Sequence, residues 1–149
     1  MRQITNTIMM IRPSGFRYNE ETADNNHYQK ELELPDNLSV HDQAVYEFDS
    51  FAIKLKQKGV DILLFDDNKY ANTPDSIFPN NWVSFHEDGT VVLYPMFAEN
   101  RRKERSNDIL ASLVDSYSFR INGIKDLTSF EDNSIFLEGT GSMVLDRVN

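Results

Sequence analysis

The residues with the clearest potential for chemistry lie between positions 72 and 104, where acids, amides and guanidinium groups flank two apolar runs. Asp75, Asn80 and Asn81 precede the first run, and a basic cluster that begins with Arg101 follows the second. Two prolines before the first run suppress regular strand pairing there, so these polar groups are expected on a loop. We expect the acid, amide and guanidinium groups to face one rim, where a polar ligand can bind.

The elements that must hold these groups are the two apolar runs and the turn between them. Residues 82–85 and 91–94 are rich in β-formers, and Glu87, Asp88 and Gly89 lie between them. Glycine tolerates a positive φ, so an Asp-Gly pair between β-forming runs indicates a hairpin turn. The sequence therefore predicts a β-hairpin with polar groups at its entrance and exit.

Length, charge and residue usage narrow the class of protein. The 149 residues suit a single domain spanning 1–149, and 40% hydrophobic residues are enough for a core. A net charge of −9 argues against a nucleic-acid partner and mildly favours a cationic or zwitterionic ligand, although an acidic surface also serves solubility alone. No cysteine is present, which excludes a disulfide, a thiolate zinc site and a cysteine nucleophile within these residues.

Neither a membrane partner nor a bound cofactor is expected. The apolar run at residues 8–11 is too short for a membrane span or a signal segment, so a cytoplasmic location is the default expectation. The three histidines lack the spacing of a metal site. Gly139 and Gly141 match the start of a dinucleotide-binding fingerprint, but Val144 occupies the position of its third glycine. We therefore expect no metal and no cofactor.

Hydrophobic periodicity predicts the elements of the first half. They are a buried strand at 7–11, a polar surface loop at 15–35, a helix at 39–58 and a strand buried on both faces at 60–65. Ser39 with Asp42 is typical of a capped helix start. The apolar residues at helical spacing in this segment are Val45, Phe48, Phe51, Ala52 and Leu55.

The second half is predicted to continue the alternation of strands and helices. The segments are an amphipathic stretch at 100–116, a strand at 119–121, a polar turn at 129–134, and two strands, 135–137 and 143–145, around a glycine-rich turn. The apolar stripe of the amphipathic stretch is Ile109, Leu110, Leu113 and Val114. A ββαβ unit thus covers 77–121. Such units bury their apolar faces on neighbours, so an array that stops in mid-unit favours self-association.

Several ordered motifs resemble those of the pentein, or guanidine-modifying, superfamily. They are Pro-Asp-Ser-Ile-Phe-Pro-Asn-Asn-Trp at 74–82, Asn-Arg-Arg-Lys-Glu at 100–104 and Phe-Leu-Glu-Gly-Thr-Gly-Ser at 136–142. Met-Ile-Arg-Pro at 10–13 and the asparagine pair at 25–26 are similar to the start of the amidinotransferase-like branch proposed to act in citrulline utilisation. The superfamily includes arginine deiminases, dimethylarginine dimethylaminohydrolases and amidinotransferases. The resemblance covers essentially the whole chain.

The resemblance implies an α/β fold, the pentein propeller, in which five ββαβ-type units surround a central active site. Members are roughly twice this length, so the chain would supply about two to three units. Catalysis in the superfamily uses a Cys-His pair assisted by a carboxylate, and both residues would fall beyond position 149. The implied function is the N-terminal half of a cysteine-dependent C–N hydrolase that acts on guanidino or ureido groups of arginine- or citrulline-like amino acids. The half would be inactive alone.

The resemblance also implies a role for each polar residue. Asp75 matches an aspartate that accepts N–H groups of a planar guanidinium or ureido group, and Asn80 lies in the same motif. Asn81 occupies a position where related hydrolases usually have a carboxylate, and an amide there suits a neutral ureido group better. Arg101 matches an arginine that binds the substrate's α-carboxylate. Glu138 matches the glutamate that supports the catalytic histidine and the substrate.

Structural and functional alternatives stay open at this point. Asp75 and Asn81 could instead stabilise turns beside prolines, and Arg101 could start an exposed helix, while Arg102 and Lys103 are expected to face solvent. An amidinotransferase of the same fold is one alternative function. A non-catalytic module for amino-acid binding or assembly is another, since the nucleophile is missing. The expected partners are a small-molecule substrate and, for assembly, a second copy or a C-terminal half.

Overall fold

The computed structural model describes residues 4–23, 26, 39–140 and 143. The backbone divides into two compact units, one of residues Arg2–Phe78 and one that begins at Pro79. The single domain over 1–149 stays a prediction. No helix among the described residues is long and apolar enough to cross a membrane.

The first unit is a parallel strand pair joined through a helix. Its elements are β1 (Thr7–Arg12), α1 (Glu20–Ala23), α2 (Val40–Gln57) and β2 (Asp61–Asp66). The strands pair in register from Thr7 opposite Asp61 to Arg12 opposite Asp66. Parallel neighbours need a crossover, which α2 supplies because it precedes β2 and packs on both strands. The predicted strand at 7–11 is confirmed. The predicted loop at 15–35 contains α1, and much of its remainder lies outside the described residues.

Helix α2 begins and ends where its sequence predicts. The Ser39 hydroxyl accepts a hydrogen bond from the Asp42 backbone N–H, as an N-cap does, and Gly59 beyond the last turn has a φ of 82°. Ala52 is buried on this helix, whereas the expected apolar stripe is wrong at Phe51, which is 54% exposed. The last turn carries lysines, which complement the negative end of the helix dipole.

A bidentate ion pair ties the end of β1 to α2. Arg12 donates from Nε and Nη2 to the two carboxylate oxygens of Asp49, both at 2.8 Å. The hydrogen bond from Arg12 holds the pKa of Asp49 below its usual value. This planar pairing fixes the register of helix against strand.

The prediction of full burial for the strand after α2 is wrong. No residue of β2 is buried, and Leu64 is 37% exposed. A parallel strand is enclosed when helices cover both of its faces. Among the described residues of this unit, α2 is the only helix that packs extensively on the two strands.

The second unit contains a ββαβ motif. Its elements are β3 (Val83–Phe85), β4 (Thr90–Leu93), α3 (Glu99–Arg102), α4 (Asn107–Tyr117) and β5 (Gly123–Asp126), with short 3₁₀ helices at Pro79–Asn81 and Thr128–Asn133. Strands β3 and β4 are antiparallel, with Val83 opposite Leu93. Strand β5 lies parallel to β4, with Thr90 opposite Gly123. The predicted hairpin and the predicted ββαβ order are confirmed.

The core of this unit is built from buried side chains of the hairpin, of α4 and of the segments next to them. Its fully buried side chains include Trp82, Val91, Met96 and Leu113. The amphipathic stretch predicted at 100–116 is two helices, because the chain leaves helical geometry after α3 and restarts at Ser106, whose hydroxyl accepts from the Ile109 N–H at 3.3 Å. Because the helix begins again at this point, the apolar face of α4 differs from the predicted one. Leu110 and Leu113 are buried, whereas Val114 is 43% exposed.

Two predicted strands of this unit are displaced or absent. The strand expected at 119–121 forms instead at 123–126, because Asn122 first anchors the chain to the hairpin turn through its N–H to Gly89 O at 2.8 Å and its side chain to Asp88 O at 2.5 Å. Residues 135–137 form no strand. They follow the 3₁₀ helix at Thr128–Asn133. Ile135 N donates to Phe130 O within that helix, and Leu137 N donates to Pro95 O after β4, so the two hydrogen bonds do not form a strand ladder. Most of the predicted strand at 143–145 lies outside the described residues.

We predict that Gly89→Ala lowers the free energy of unfolding by about 2–4 kcal/mol, from a strained positive φ and from crowding. Gly89 has a φ of 83°, and a Cβ there would lie 2.8 Å from Asn122 Nδ2. Gly59→Ala is the matched control, because its φ is 82° but its Cβ would meet no atom within 4 Å. It should cost about 1 kcal/mol. Denaturant unfolding measures both, and equal losses would contradict the crowding at Asn122.

Candidate functional site

The carboxylate of Glu138 lies between an amide and a guanidinium in the second unit. Asn81 Nδ2 donates to Glu138 Oε2 at 2.6 Å, and Arg101 Nη1 lies 3.6 Å from the same oxygen. The Glu138 side chain is 27% exposed and the Arg101 side chain 7%. Three of the five predicted site residues are thus brought together, and the Glu138 carboxylate is held from two sides while still reaching solvent.

Backbone hydrogen bonds carry Glu138 to this position. Leu137 N donates to Pro95 O at 3.1 Å and Gly139 N donates to Asn81 O at 2.8 Å, one on each side of Glu138. Gly139 passes so close to its neighbours that a Cβ would lie 2.5 Å from Asn80 O and 2.8 Å from Tyr94 Cε2. Only glycine fits this approach. Gly139 therefore helps to place the Glu138 carboxylate.

Arg101 is buried and held by an acid three residues further on. Its Nε and Nη2 donate to the two oxygens of Glu104 at 3.0 and 3.1 Å, and the Glu104 side chain is 1% exposed. Arg101 therefore does not start an exposed helix. Glu104 follows Arg101 in the motif at 100–104, yet sequence reasoning assigned it no role. Its bidentate pairing sets the plane of the guanidinium beside Glu138.

The prediction that Arg102 and Lys103 face solvent is right for Lys103 and wrong for Arg102. Arg102 donates from Nε to Met96 O at 3.0 Å and from Nη2 to Phe97 O at 3.1 Å. Its guanidinium also lies over the Phe136 ring, 5.7 Å from the centroid. Lys103 is exposed. Arg102 thus holds the backbone of the segment that follows β4, and its guanidinium covers the ring of Phe136, two residues before Glu138.

Glu131, which sequence reasoning treated as part of a polar turn, connects three segments. Its carboxylate accepts from Met96 N at 2.8 Å and from Arg105 at 2.5 and 3.0 Å, and Arg102 Nε lies 3.5 Å away. Burial opposes its ionisation, but the hydrogen bonds from Arg105 and Met96 N outweigh burial and hold its pKa below the usual value. No local pattern marks such a residue, because its partners lie 26 and 35 positions away.

Asp75 lies in the first unit, where two neutral groups donate to it. Asn19 Nδ2 donates to Asp75 Oδ2 at 2.6 Å, and the Thr22 hydroxyl lies 3.4 Å from the same oxygen. Asn19 is 1% exposed. The Asp75 C=O group lies within a turn, since Phe78 N donates to Asp75 O at 3.0 Å. Sequence reasoning missed Asn19, which stands in a polar stretch of ordinary loop composition.

The remaining candidates contribute less. Asn80 is exposed, and in the described part of the chain its contribution to the site is the backbone oxygen that Gly139 approaches. His86 is half-buried and its Nε2 lies 3.0 Å from Ser84 Oγ, which also lies 2.7 Å from Tyr94 OH. No group of three His, Asp or Glu side chains within residues 4–23, 26, 39–140 and 143 is arranged to hold a metal ion.

Comparison with protein families decides the relationship. Residues 12–149 match the family model described as N,N dimethylarginine dimethylhydrolase, eukaryotic. The chain belongs to this family. The resemblance to the pentein superfamily is thereby confirmed. No curated protein matches the chain significantly.

Two solved structures are similar to this chain over part of their length. A histidine-to-glycine variant of dimethylarginine dimethylaminohydrolase, crystallised as an adduct with S-methyl-L-thiocitrulline, aligns with a TM-score of 0.53 at 19% identity over 88% of this chain and 44% of that one. The enzyme from Pseudomonas aeruginosa, as a cysteine-to-serine variant complexed with citrulline, aligns with a TM-score of 0.48 at 20% identity over 79% and 40%. The chain therefore spans less than half the length of these structures, and the first shows a shared α/β fold.

We predict that Asn81 and Glu138 are energetically coupled. In a double-mutant cycle of Asn81→Ala and Glu138→Ala, the interaction energy should be about 1–2 kcal/mol, as for a charge-assisted hydrogen bond open to solvent on one side. The neighbouring exposed amide serves as the control, and Asn80→Ala with Glu138→Ala should be additive. Additive losses for Asn81 as well would mean that the 2.6 Å contact does not hold Glu138 in solution.

A second prediction concerns pH. Glu131→Gln should lower the free energy of unfolding by about 2 kcal/mol at pH 7, since charge-assisted hydrogen bonds are lost. Because the folded-state pKa of Glu131 is lowered, its stabilisation is complete above the pKa of the unfolded chain and disappears as the pH falls through the folded-state pKa. The difference between wild type and variant should therefore shrink in acid. Asp132→Asn, at an exposed neighbour, is the control, and a pH-independent difference would contradict the assignment.

Proposed function

We propose that the chain is the N-terminal part of a cysteine-dependent hydrolase that cleaves a C–N bond in the guanidino or ureido group of an arginine- or citrulline-like amino acid. The observation that supports this most directly is the Glu138 carboxylate, held by Asn81 and Arg101 in a chain whose residues 12–149 match the family. A carboxylate so placed can stabilise an imidazolium or polarise a substrate N–H.

A finer proposal concerns architecture. The chain would supply about two to three of the five ββαβ-type units of a pentein α/β-propeller. In support, β3, β4, α4 and β5 follow one another in ββαβ order, and the chain aligns with 44% of a neighbouring structure's length. Strand β5 is exposed along its whole length, which suits pairing with further chain or with a second copy.

The proposed chemistry requires a nucleophile from outside these residues, because the 149-residue sequence contains no cysteine. A cysteine thiolate attacks the guanidino or ureido carbon, a C–S bond forms, and the C–N bond breaks as a histidine imidazolium gives its proton to the leaving amine. Water then hydrolyses the C–S adduct and the thiol is regenerated. Glu138 is proposed to hold the imidazolium. Asp75 is proposed to accept substrate N–H groups.

Asn81 and Arg101 would contribute to selectivity. One N–H of Asn81 is committed to Glu138, so a ligand contact would use its carbonyl oxygen or its other N–H, which suits a ureido or a guanidino group. Arg101 is proposed to bind the α-carboxylate of the substrate. Since Glu104 already accepts from its Nε and Nη2, a substrate carboxylate has to share this guanidinium with Glu104.

The missing cysteine favours a second candidate, a non-catalytic module that keeps the amino-acid pocket. Calorimetry and turnover separate the two. Under the enzyme proposal, the chain alone releases neither amine nor ammonia from arginine, citrulline or methylated arginines, and turnover appears when a C-terminal polypeptide with the cysteine and histidine is supplied. Binding without turnover in both preparations would establish the module. An amidino group passed to an added amine would identify a transferase.

In the active preparation, we predict that Glu138→Gln lowers kcat by at least ~100-fold, the scale of lost acid–base support, and leaves the fold intact. The substitution keeps shape and changes charge, so the folded fraction should not differ in circular dichroism. Glu87→Gln at the exposed hairpin turn is the matched control and should turn over at the wild-type rate. Turnover of Glu138→Gln near the wild-type rate would remove Glu138 from the chemistry.

A further inference from the structure

A buried amide in the first unit joins a short helix to Asp75. Asn19 is 1% exposed, and both ends of its side chain are engaged. Its Oδ1 accepts from the Glu21 N–H at 3.1 Å, which caps α1, and its Nδ2 donates to Asp75 Oδ2 at 2.6 Å. Asparagine suits this position because its amide both accepts and donates, whereas aspartate at the same place could only accept.

A second donor from the same helix reaches the same oxygen. The Thr22 hydroxyl lies 3.4 Å from Asp75 Oδ2 and 3.3 Å from Asn19 O, so its single proton is shared between two acceptors. The shorter contact from Asn19 is therefore the stronger one. Thr22 N also donates to Asn19 O at 3.2 Å, which keeps both donors on one turn of chain.

The backbone around Asp75 is already fixed by other contacts. Ser76 N donates to Thr73 O at 3.2 Å, and Phe78 N donates to Asp75 O at 3.0 Å. The Thr73 hydroxyl in turn lies 3.3 Å from both carboxylate oxygens of Asp67. With the backbone held in this way, the orientation of the Asp75 side chain depends on the groups that contact its carboxylate, and Asn19 makes a contact of 2.6 Å with it.

We propose that Asn19 is a positioning residue for Asp75, holding its carboxylate in one orientation so that the other parts of that group meet the N–H groups of a guanidino or ureido ligand. The proposal rests on the proposed function in so far as Asp75 contacts the ligand. Asn19 itself need not touch the ligand. Asn19 restricts rotation of the Asp75 side chain before the ligand binds, so that ligand binding does not have to bear that entropy cost.

Asn68 is a matched control for the hydrogen bond that Asn19 accepts from the Glu21 backbone. Asn68 Oδ1 accepts from the Tyr70 N–H at 3.0 Å, the same spacing of two residues as between Asn19 and Glu21, and Asn68 is exposed. Asn→Asp at either position keeps the accepting oxygen and adds one negative charge. Only at Asn19 does it also remove a donor to Asp75 and bring two carboxylates together.

The test compares Asn19→Asp, Asn68→Asp, Asp75→Asn and the double variant Asn19→Asp/Asp75→Asn. Calorimetry measures the dissociation constants of L-citrulline and L-arginine, and thermal unfolding measures stability. Asn19→Asp should weaken binding about tenfold or more, the scale of a lost charge-assisted hydrogen bond, and Asn68→Asp should stay within about twofold. The double variant exchanges donor and acceptor, so it should recover the wild-type melting temperature but not the affinity, because the charge at position 75 is gone.

A ligand-free measurement keeps this proposal separate from the proposed function. In nitrogen-15 spectra, the side-chain amide of Asn19 should show coupling across the hydrogen bond to the Asp75 carboxyl carbon and should shift on Asp75→Asn, while that of Asn68 should not. Absence of both effects overturns the positioning role, as does an Asn19→Asp affinity equal to that of Asn68→Asp. If the amide effects are present and the wild type neither binds nor turns over a ligand even when the C-terminal polypeptide is supplied, the positioning role stands and the proposed function fails. If the double variant recovers affinity as well as stability, the negative charge of Asp75 is not used, and the ligand role of Asp75 is overturned.

Discussion

The second unit depends on one part-buried carboxylate. Glu131 accepts hydrogen bonds from the Met96 backbone and from Arg105, so it joins the 3₁₀ helix after β5 to both ends of the segment that contains Arg101. Without this acceptor, the Met96 N–H would lose its carboxylate partner and the Arg105 guanidinium would keep its hydrogen bond to Tyr94 O but lose the neighbouring negative charge, which is costly in a part-buried place. The same segment supplies Pro95 O, the acceptor for Leu137. The position of Glu138 therefore follows from Glu131 through a short series of contacts.

The acids of this chain are held by two kinds of donor. Asp49, Glu104 and Glu131 are each paired with an arginine, and such pairs hold segments together. Asp75 and Glu138 each accept a hydrogen bond of 2.6 Å from an asparagine amide, and Glu138 also lies 3.6 Å from Arg101 Nη1. An amide orients a carboxylate without neutralising its charge. The short amide contact is a feature that the two candidate site acids share.

The amide at position 81, in place of a carboxylate, also affects which ligands this site can select. A carboxylate at position 81 would lie against Glu138 and force one of the two acids to take up a proton. Asn81 avoids that conflict and commits one N–H to Glu138. Arg101 is similarly constrained, because Glu104 already pairs with two of its nitrogens.

The sequence by itself determined whatever depends on neighbours along the chain. Ser39 as a cap, Gly89 in the hairpin turn and the order of β3, β4, α4 and β5 were all predictable, because capping, positive φ and hydrophobic periodicity act within a few residues. The ordered motifs also identified the superfamily and three residues, Asn81, Arg101 and Glu138, that meet in one place. Only the tertiary structure decided the exposure of β2, the break between α3 and α4 and the start of β5 at Gly123. It also decided the partners, Asn19 for Asp75 and Glu131 for Arg105, because those contacts join residues 56 and 26 positions apart, and no local pattern records such a pairing.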